Sequence, residues 1–217
     1  MSDYIREPEL IEKRSFEIIG EALGEKNIPG LRTDIIKRVI HTTADFEYGE
    51  LLQFREAAED KLLQSFMKGC TIICDTNMIK SGINKRLAKE LNINVECFVD
   101  SEEAFEVSKR EGITRSMASV DMAARLAGPK VFVIGNAPTA LYRIMELQAS
   151  GKLEPDFIVG VPVGFVGAAE SKEALWSTGF PCIITKGRKG GSTIGVAIVN
   201  AVMREAKARI GKQQVCK

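Results

Sequence analysis

The chain has 217 residues, with 30 Lys plus Arg against 29 Asp plus Glu, a formal net charge of +1, and 45% apolar residues. So even a balance gives no global field to draw in a polyanion, which sets nucleic acid aside as a partner. The length suits one domain whose core needs neither disulfides nor a structural metal. The longest apolar stretch, Val159 to Ala169, is broken by Pro162 and three glycines, so no membrane span is expected. Residues 1–9 are charged and lack the apolar centre of a secretory leader, which makes a cytoplasmic protein the expectation. The five cysteines, Cys70, Cys74, Cys97, Cys182 and Cys216, form no C-x-x-C pair. Cys70 and Cys74 fall on one strand, about 13 Å apart over four steps, too far to share a bond or a metal. Inert thiols and core fillers are expected.

Residues 1–68 read as a helical segment. Pro8 suits a first helical position. From Ile11 onward, Ser15, Ile18, Ile19 and Ala22 share one face, so Ser15 projects from an apolar stripe. Its hydroxyl needs a partner, either the carbonyl of Ile11 one turn back or a ligand. A second helix is expected from Thr33 as N-cap through Ile35, Ile36, Val39 and Ile40 to His41-Thr42-Thr43, and a third over Glu50 to Met67.

The rest of the chain alternates short β-branched runs with amphipathic stretches. The runs are Thr71–Cys74, Val95–Val99, Val131–Ile134, Phe157–Val161 and Cys182–Thr185, and a last helix follows from Ser192 to about Ile210. Continuous apolar strands alternating with helices predict a parallel sheet covered on both faces. The expected architecture is a single α/β domain over 1–217. It holds a doubly wound five-stranded parallel sheet in the flavodoxin-like order 2-1-3-4-5, preceded by the helical segment, with ligands beyond the carboxyl ends of the strands.

The loops at those ends are rich in small residues: Asp75 to Gly82, Gly135 to Ala140, Pro162 to Ser171, and Lys186 to Thr193. Such loops let a ligand approach the backbone, and helix N-termini offer N–H groups to anions. A carboxylated or phosphorylated ligand is expected. There is no G-x-G-x-x-G and no G-x-x-x-x-G-K-[ST], so a nucleotide site is disfavoured. Gly190-Gly191 can be turn chemistry or, with Lys186, Arg188 and Lys189 beside it, part of an anion site. His41 is the one histidine in the chain. A reaction that needs a proton donor near neutral pH without a perturbed side chain has only this candidate, and the helix end and Asp45 and Glu47 beside it favour the imidazolium. A helix-ending or partner-satisfied histidine is the alternative.

Several segments in order resemble one family. Arg38-Val39-Ile40-His41-Thr42-Thr43-Ala44-Asp45-Phe46-Glu47-Tyr48 resembles the signature of the precorrin-8X methylmutases, including their cobalt-precorrin-8 branch. Ile11 to Phe16, Asp75 to Gly82, Thr114-Arg115-Ser116, Gly135 to Leu141, Val161 to Leu175 and Gly187 to Asn200 resemble that family's other motifs. The resemblance implies an isomerase of cobalamin biosynthesis that moves a methyl group between neighbouring ring carbons of a tetrapyrrole without redox change or external cofactor. It implies that His41 gives or takes a proton, that Ser15 contacts the substrate, and that the enzyme is a homodimer with its sites at the interface. A macrocycle rimmed with carboxylates asks for basic and amide clamps over an apolar floor. Arg115 is the preferred clamp, followed by Arg14, Arg38, Lys186 and Arg188. Thr42, Thr76, Asn77, Asn136, Gly190 and Gly191 complete the expected contacts, with no metal ligand among them. Two rival readings are a tetrapyrrole or corrinoid carrier on the same scaffold and, more distantly, a phosphate-ligand enzyme. Whether the substrate carries cobalt is left open.

Overall fold

The computed structural model describes residues 5–215, with side chains up to 212. Four strands are short runs of residues that prefer an extended, buried backbone: β2 (Thr71–Cys74), β4 (Lys130–Ile134), β5 (Phe157–Gly160) and β6 (Cys182–Thr185). Every residue of β4, β5 and β6 is buried, the mark of strands covered on both faces. β2 pairs in parallel with β4 and with β3 (Asn94–Glu96), β4 with β5, and β5 with β6.

The sheet is mixed and six-stranded, with the order β1-β6-β5-β4-β2-β3, which corrects the expected five-stranded parallel sheet. The extra strand, β1 (Leu52–Phe54), lies in the stretch expected to be one helix from Glu50 to Met67. A one-turn helix α3 (Tyr48–Leu51) precedes it, and α4 (Ala58–Lys68) follows after Ala57, which sits at φ 52°. Leu52, Gln53 and Phe54 lie opposite Thr185, Ile184 and Ile183 in antiparallel register. The open edge of β6 supplies ladder partners that local periodicity cannot foresee, and pairing overrides propensity. At the other edge, β3 stops at Glu96 instead of running to Val99, because the chain turns into the Ser101 cap of α7 (Glu102–Glu111).

Alternation within each strand divides the core in two. Val131, Val133, Val159 and Ile183 face α4 and α11 (Ser192–Val215) with Leu62, Phe66, Ile194, Ile198 and Val202, and α2 (Leu31–Thr43) packs on α11, adding Ile35 and Val39 to the same core. Phe132, Ile134, Ile158 and Ile184 face the opposite layer, which includes α8 (Arg115–Ala124), α9 (Pro138–Ala149) and α10 (Ala168–Ser177) through Val120, Leu141, Ile144 and Leu175. Each such side chain contributes roughly 1.5–3 kcal/mol on burial. The first helix, α1 (Pro8–Leu23), lies on α2 but buries only Ile19 and Gly20, leaving Leu10, Ile11 and Ile18 exposed. Helix α2 begins at Leu31, so Thr33 is a buried residue of its first turn rather than its cap. No helix among the described residues is long and apolar enough to cross a membrane.

Cys70, Cys74 and Cys182 are buried and free, and Cys97 is half-buried and free. Burial pushes the Cys70 thiol up to about 12 and the Cys182 thiol up to about 11, so both are neutral near pH 7. Cys216 lies outside the described residues.

Candidate functional site

His41 stands in the last turn of α2, exposed, with its ring stacked on Phe16 of α1 at 5.4 Å between centroids and 20° between planes. The helix closes on Ala44, held at φ 53°, whose N–H donates to the Ile40 carbonyl. The Thr43 hydroxyl donates to the Val39 carbonyl (2.8 Å), and the Asp45 carboxylate accepts the Glu47 N–H (3.0 Å), so the turn after His41 is built from its own side chains. Arg38, one turn before His41, lays its guanidinium 5.0 Å from the centre of the Phe16 ring.

A cavity of about 270 Å³ opens beside this helix end. Arg38, His41 and Thr42 line it from α2, Met78 and Gly82 from α5 (Asn77–Gly82), and Thr193, Val196, Ala197, Asn200 and Arg204 from α11. Three expected site residues therefore meet in one place. The α11 contribution was missed, although Thr193, Ala197, Asn200 and Arg204 follow helical spacing opposite the buried Ile194, Ile198 and Val202. Asn200 also bridges the chain, accepting from the Asn84 N–H (2.9 Å) and donating to the Gly82 carbonyl (3.0 Å). Arg204 is held below the usual arginine value by burial and by the like charge of Arg38.

Thr76 joins the first sheet loop to this wall. Its hydroxyl accepts the Ile79 N–H as the cap of α5 and lies 2.9 Å from the Ser192 hydroxyl at the start of α11. The preceding Asp75 is buried, and its carboxylate accepts N–H bonds from Gly135 (2.9 Å), Asn136 (2.7 Å) and Ala137 (2.7 Å). Burial raises the Asp75 carboxyl, and the three amides pull the other way. Those amides were expected to be open to a ligand anion; an internal carboxylate already fills them, which corrects that expectation for the Asn136 loop. The Asn136 side chain itself is exposed.

The loop between β6 and α11 is held just as firmly. A Cβ at Gly190 would lie 2.2 Å from the Val161 carbonyl oxygen, and the Gly191 N–H donates to that same oxygen (2.8 Å) with Gly191 at φ 128°. Close backbone approach accounts for both glycines. Lys172 of α10, unforeseen from sequence, is fully buried and donates to the Lys189 carbonyl (2.8 Å) and the Thr185 hydroxyl (3.1 Å). Its signal was present: Ala168, Ser171, Lys172 and Leu175 form the buried stripe of that helix. Desolvation lowers the Lys172 ammonium to about 8. Lys189 in turn reaches the turn after His41, binding Asp45 (2.5 Å) and Glu47, which raises the lysine and lowers Asp45.

Other expected contacts lie apart from the cavity lining. The Ser15 hydroxyl donates to the Ile11 carbonyl (2.8 Å), the local alternative, and Arg14 pairs with Glu17. Arg115 is exposed and pairs with Asp100 (3.4 Å), which also accepts from Asn77 (2.5 Å). Lys186 is exposed, and Arg188 stands 5.8 Å over the Phe165 ring. Among the described residues, no group of three or more His, Cys, Asp or Glu is placed to hold a metal ion.

Comparison with known proteins agrees in every direction. The family profile described as precorrin-8X methylmutase matches residues 10–205. A cobalt-precorrin-8 methylmutase of Salmonella typhimurium is 46% identical over 92% of this chain and 96% of the relative. A precorrin-8X methylmutase of Pseudomonas aeruginosa is 36% identical over 94% of this chain and 99% of the relative. A solved structure of the precorrin-8X methylmutase from Thermus thermophilus superposes with a TM-score of 0.83 at 34% identity, covering 92% of this chain and 98% of that one.

Proposed function

The chain belongs to the precorrin-8X methylmutase family and is an isomerase of cobalamin biosynthesis that moves a methyl group within a tetrapyrrole; we propose that its substrate is the cobalt-bearing one, and that His41 is its proton-handling residue. Relatives named for the cobalt-bearing substrate run from 46% down to 34% identity, five of the six above the 36% and 35% of those named for the metal-free one. The observation that carries the role of His41 is its place at the wall of the cavity shared by Arg38, Thr42 and Arg204.

A methyl shift within one conjugated ring is intramolecular, so the protein must hold the macrocycle in one orientation and polarise it in the transition state. The imidazolium of His41 draws electron density from the ring as the methyl migrates. Where cobalt occupies the ring nitrogens, the proton meets a peripheral atom instead. No resident cofactor enters the reaction; cobalt arrives with the substrate.

At about 270 Å³ the cavity is slightly below the ~300–1,000 Å³ usual for small-molecule sites, which favours completion of the site by a second copy of the chain. Met78, which lines it, is exposed and fits a covered surface, as do Phe46 and, on α1, Leu10, Ile11 and Ile18. We therefore read the enzyme as a cytoplasmic homodimer with the whole chain acting as one domain. The test is turnover of cobalt-bearing and metal-free substrates, followed by visible absorption. The cobalt-bearing one should be converted faster, and His41→Ala should lower its rate by about 10²–10⁴-fold while product still binds. Near-normal turnover by that variant removes histidine from the mechanism.

A further inference from the structure

Glu12 of α1 places one carboxylate oxygen between two guanidinium groups, 3.1 Å from Arg38 of α2 and 3.6 Å from Arg204 of α11. Both arginines line the cavity that holds His41. They also line the adjoining groove of about 420 Å³ beneath Phe16, so the pair sits where the two hollows meet. Two like charges this close favour an anion between them; Arg204 is held below its usual value first by burial and then by the charge of Arg38.

The anion now present is lightly held. Glu12 is about half exposed, and a solvent-screened ion pair contributes little. Its helix is itself loosely attached, with two buried residues among sixteen. A planar fork is the side chain suited to gripping a carboxylate in two contacts, and two forks on neighbouring helices make a socket of fixed spacing.

We propose that Arg38 and Arg204 form a clamp for one peripheral carboxylate of the macrocycle, and that Glu12 occupies this clamp in the empty enzyme and is displaced when the substrate enters. The inference rests on the functional reading above, since it needs a polycarboxylate ligand. It assigns Arg204 as a binding residue and Glu12 as its internal competitor. Substrate entry then frees α1, the helix whose Phe16 stacks on His41, so binding and the setting of the imidazole are coupled.

Cobyrinate and its fully methyl-esterified form serve as probes, titrated by visible absorbance against the unaltered chain, Arg204→Ala, Arg204→Lys and Glu12→Gln, with folding checked by circular dichroism. Arg204→Ala should bind cobyrinate about tenfold more weakly, the scale of one charge-assisted contact, yet bind the ester like the unaltered chain. Arg204→Lys should fall between, keeping charge without the fork. Glu12→Gln should bind cobyrinate several-fold more tightly, because its competitor is gone. An Arg204→Ala variant that binds both probes normally, or loses both equally, overturns the clamp, and so does a Glu12→Gln variant that binds no more tightly. If the unaltered chain neither converts a methylmutase substrate nor binds cobyrinate, the functional reading fails and the clamp falls with it.

Discussion

Two turns at the carboxyl edge of the sheet each close around one buried charge, and the two charges are opposite. In the β4–α9 turn, Asp75 collects three backbone N–H groups, so the donors of the turn ahead of that helix are spent inside the protein. In the β6–α11 loop, Lys172 collects a backbone carbonyl and a hydroxyl, and the loop turns Lys186 and Arg188 outward. Both stretches look alike in sequence: small residues ahead of a helix. The difference teaches that such a stretch is an anion site only where the chain does not bring its own counter-charge. Of the two, the basic loop is the one left with cations to offer.

The comparison can be broken most forcefully at Asp75. Asp75→Ala strands three donors, two of them on buried residues, and should cost about 3 kcal/mol or more, read from urea unfolding. A loss below about 1 kcal/mol would show that water or rearrangement serves the turn as well. Asp75→Asn should recover part of the loss, because its amide oxygen can still accept the Asn136 and Ala137 N–H groups while its nitrogen cannot accept that of Gly135.

Lys172 gives a smaller effect with a pH signature. Its folded value, about 8, lies below that of a free lysine, so between roughly pH 8 and 10.5 the unfolded chain carries a proton that the folded chain has shed. Stability of the unaltered chain should therefore rise through that window relative to Lys172→Met, measured as denaturation midpoints at several pH values. A constant gap between the two proteins removes the ionisation of Lys172 from the account.

The smallest change is expected at Lys189. Its contacts with Asp45 and Glu47 are solvent-exposed, so Lys189→Ala should lower the melting midpoint slightly in dilute buffer and not at all near 1 M salt, where screening acts within about 3 Å. A salt-independent loss would mean that the link between the basic loop and the turn after His41 is made by packing.

Much of the layered fold was readable because burial on both faces forces unbroken apolar runs, as in Val131 to Ile134. β1 was not, since three residues beside a helical pattern become a strand only when β6 offers its edge. The site divided along the same line. His41 stood out by being solitary, and Arg38 and Thr42 came with it. Asp75 finds its donors some sixty residues downstream, a partnership no local pattern records. Arg115, the preferred clamp, pairs with Asp100 apart from the cavity lining, a placement its motif does not record. Arg204 was not among the expected contacts, and only the position of α11 against α2 turns it toward the hollow.

The stack of Phe16 on His41 has a stereochemical consequence. Imidazole N–H bonds and lone pairs lie in the ring plane, and with one flat side covered by a benzyl group the ring is presented edge-on. A proton exchanged there travels laterally, so a macrocycle served by this residue cannot lie parallel upon the imidazole, and in the empty enzyme one phenylalanine sets the plane of delivery.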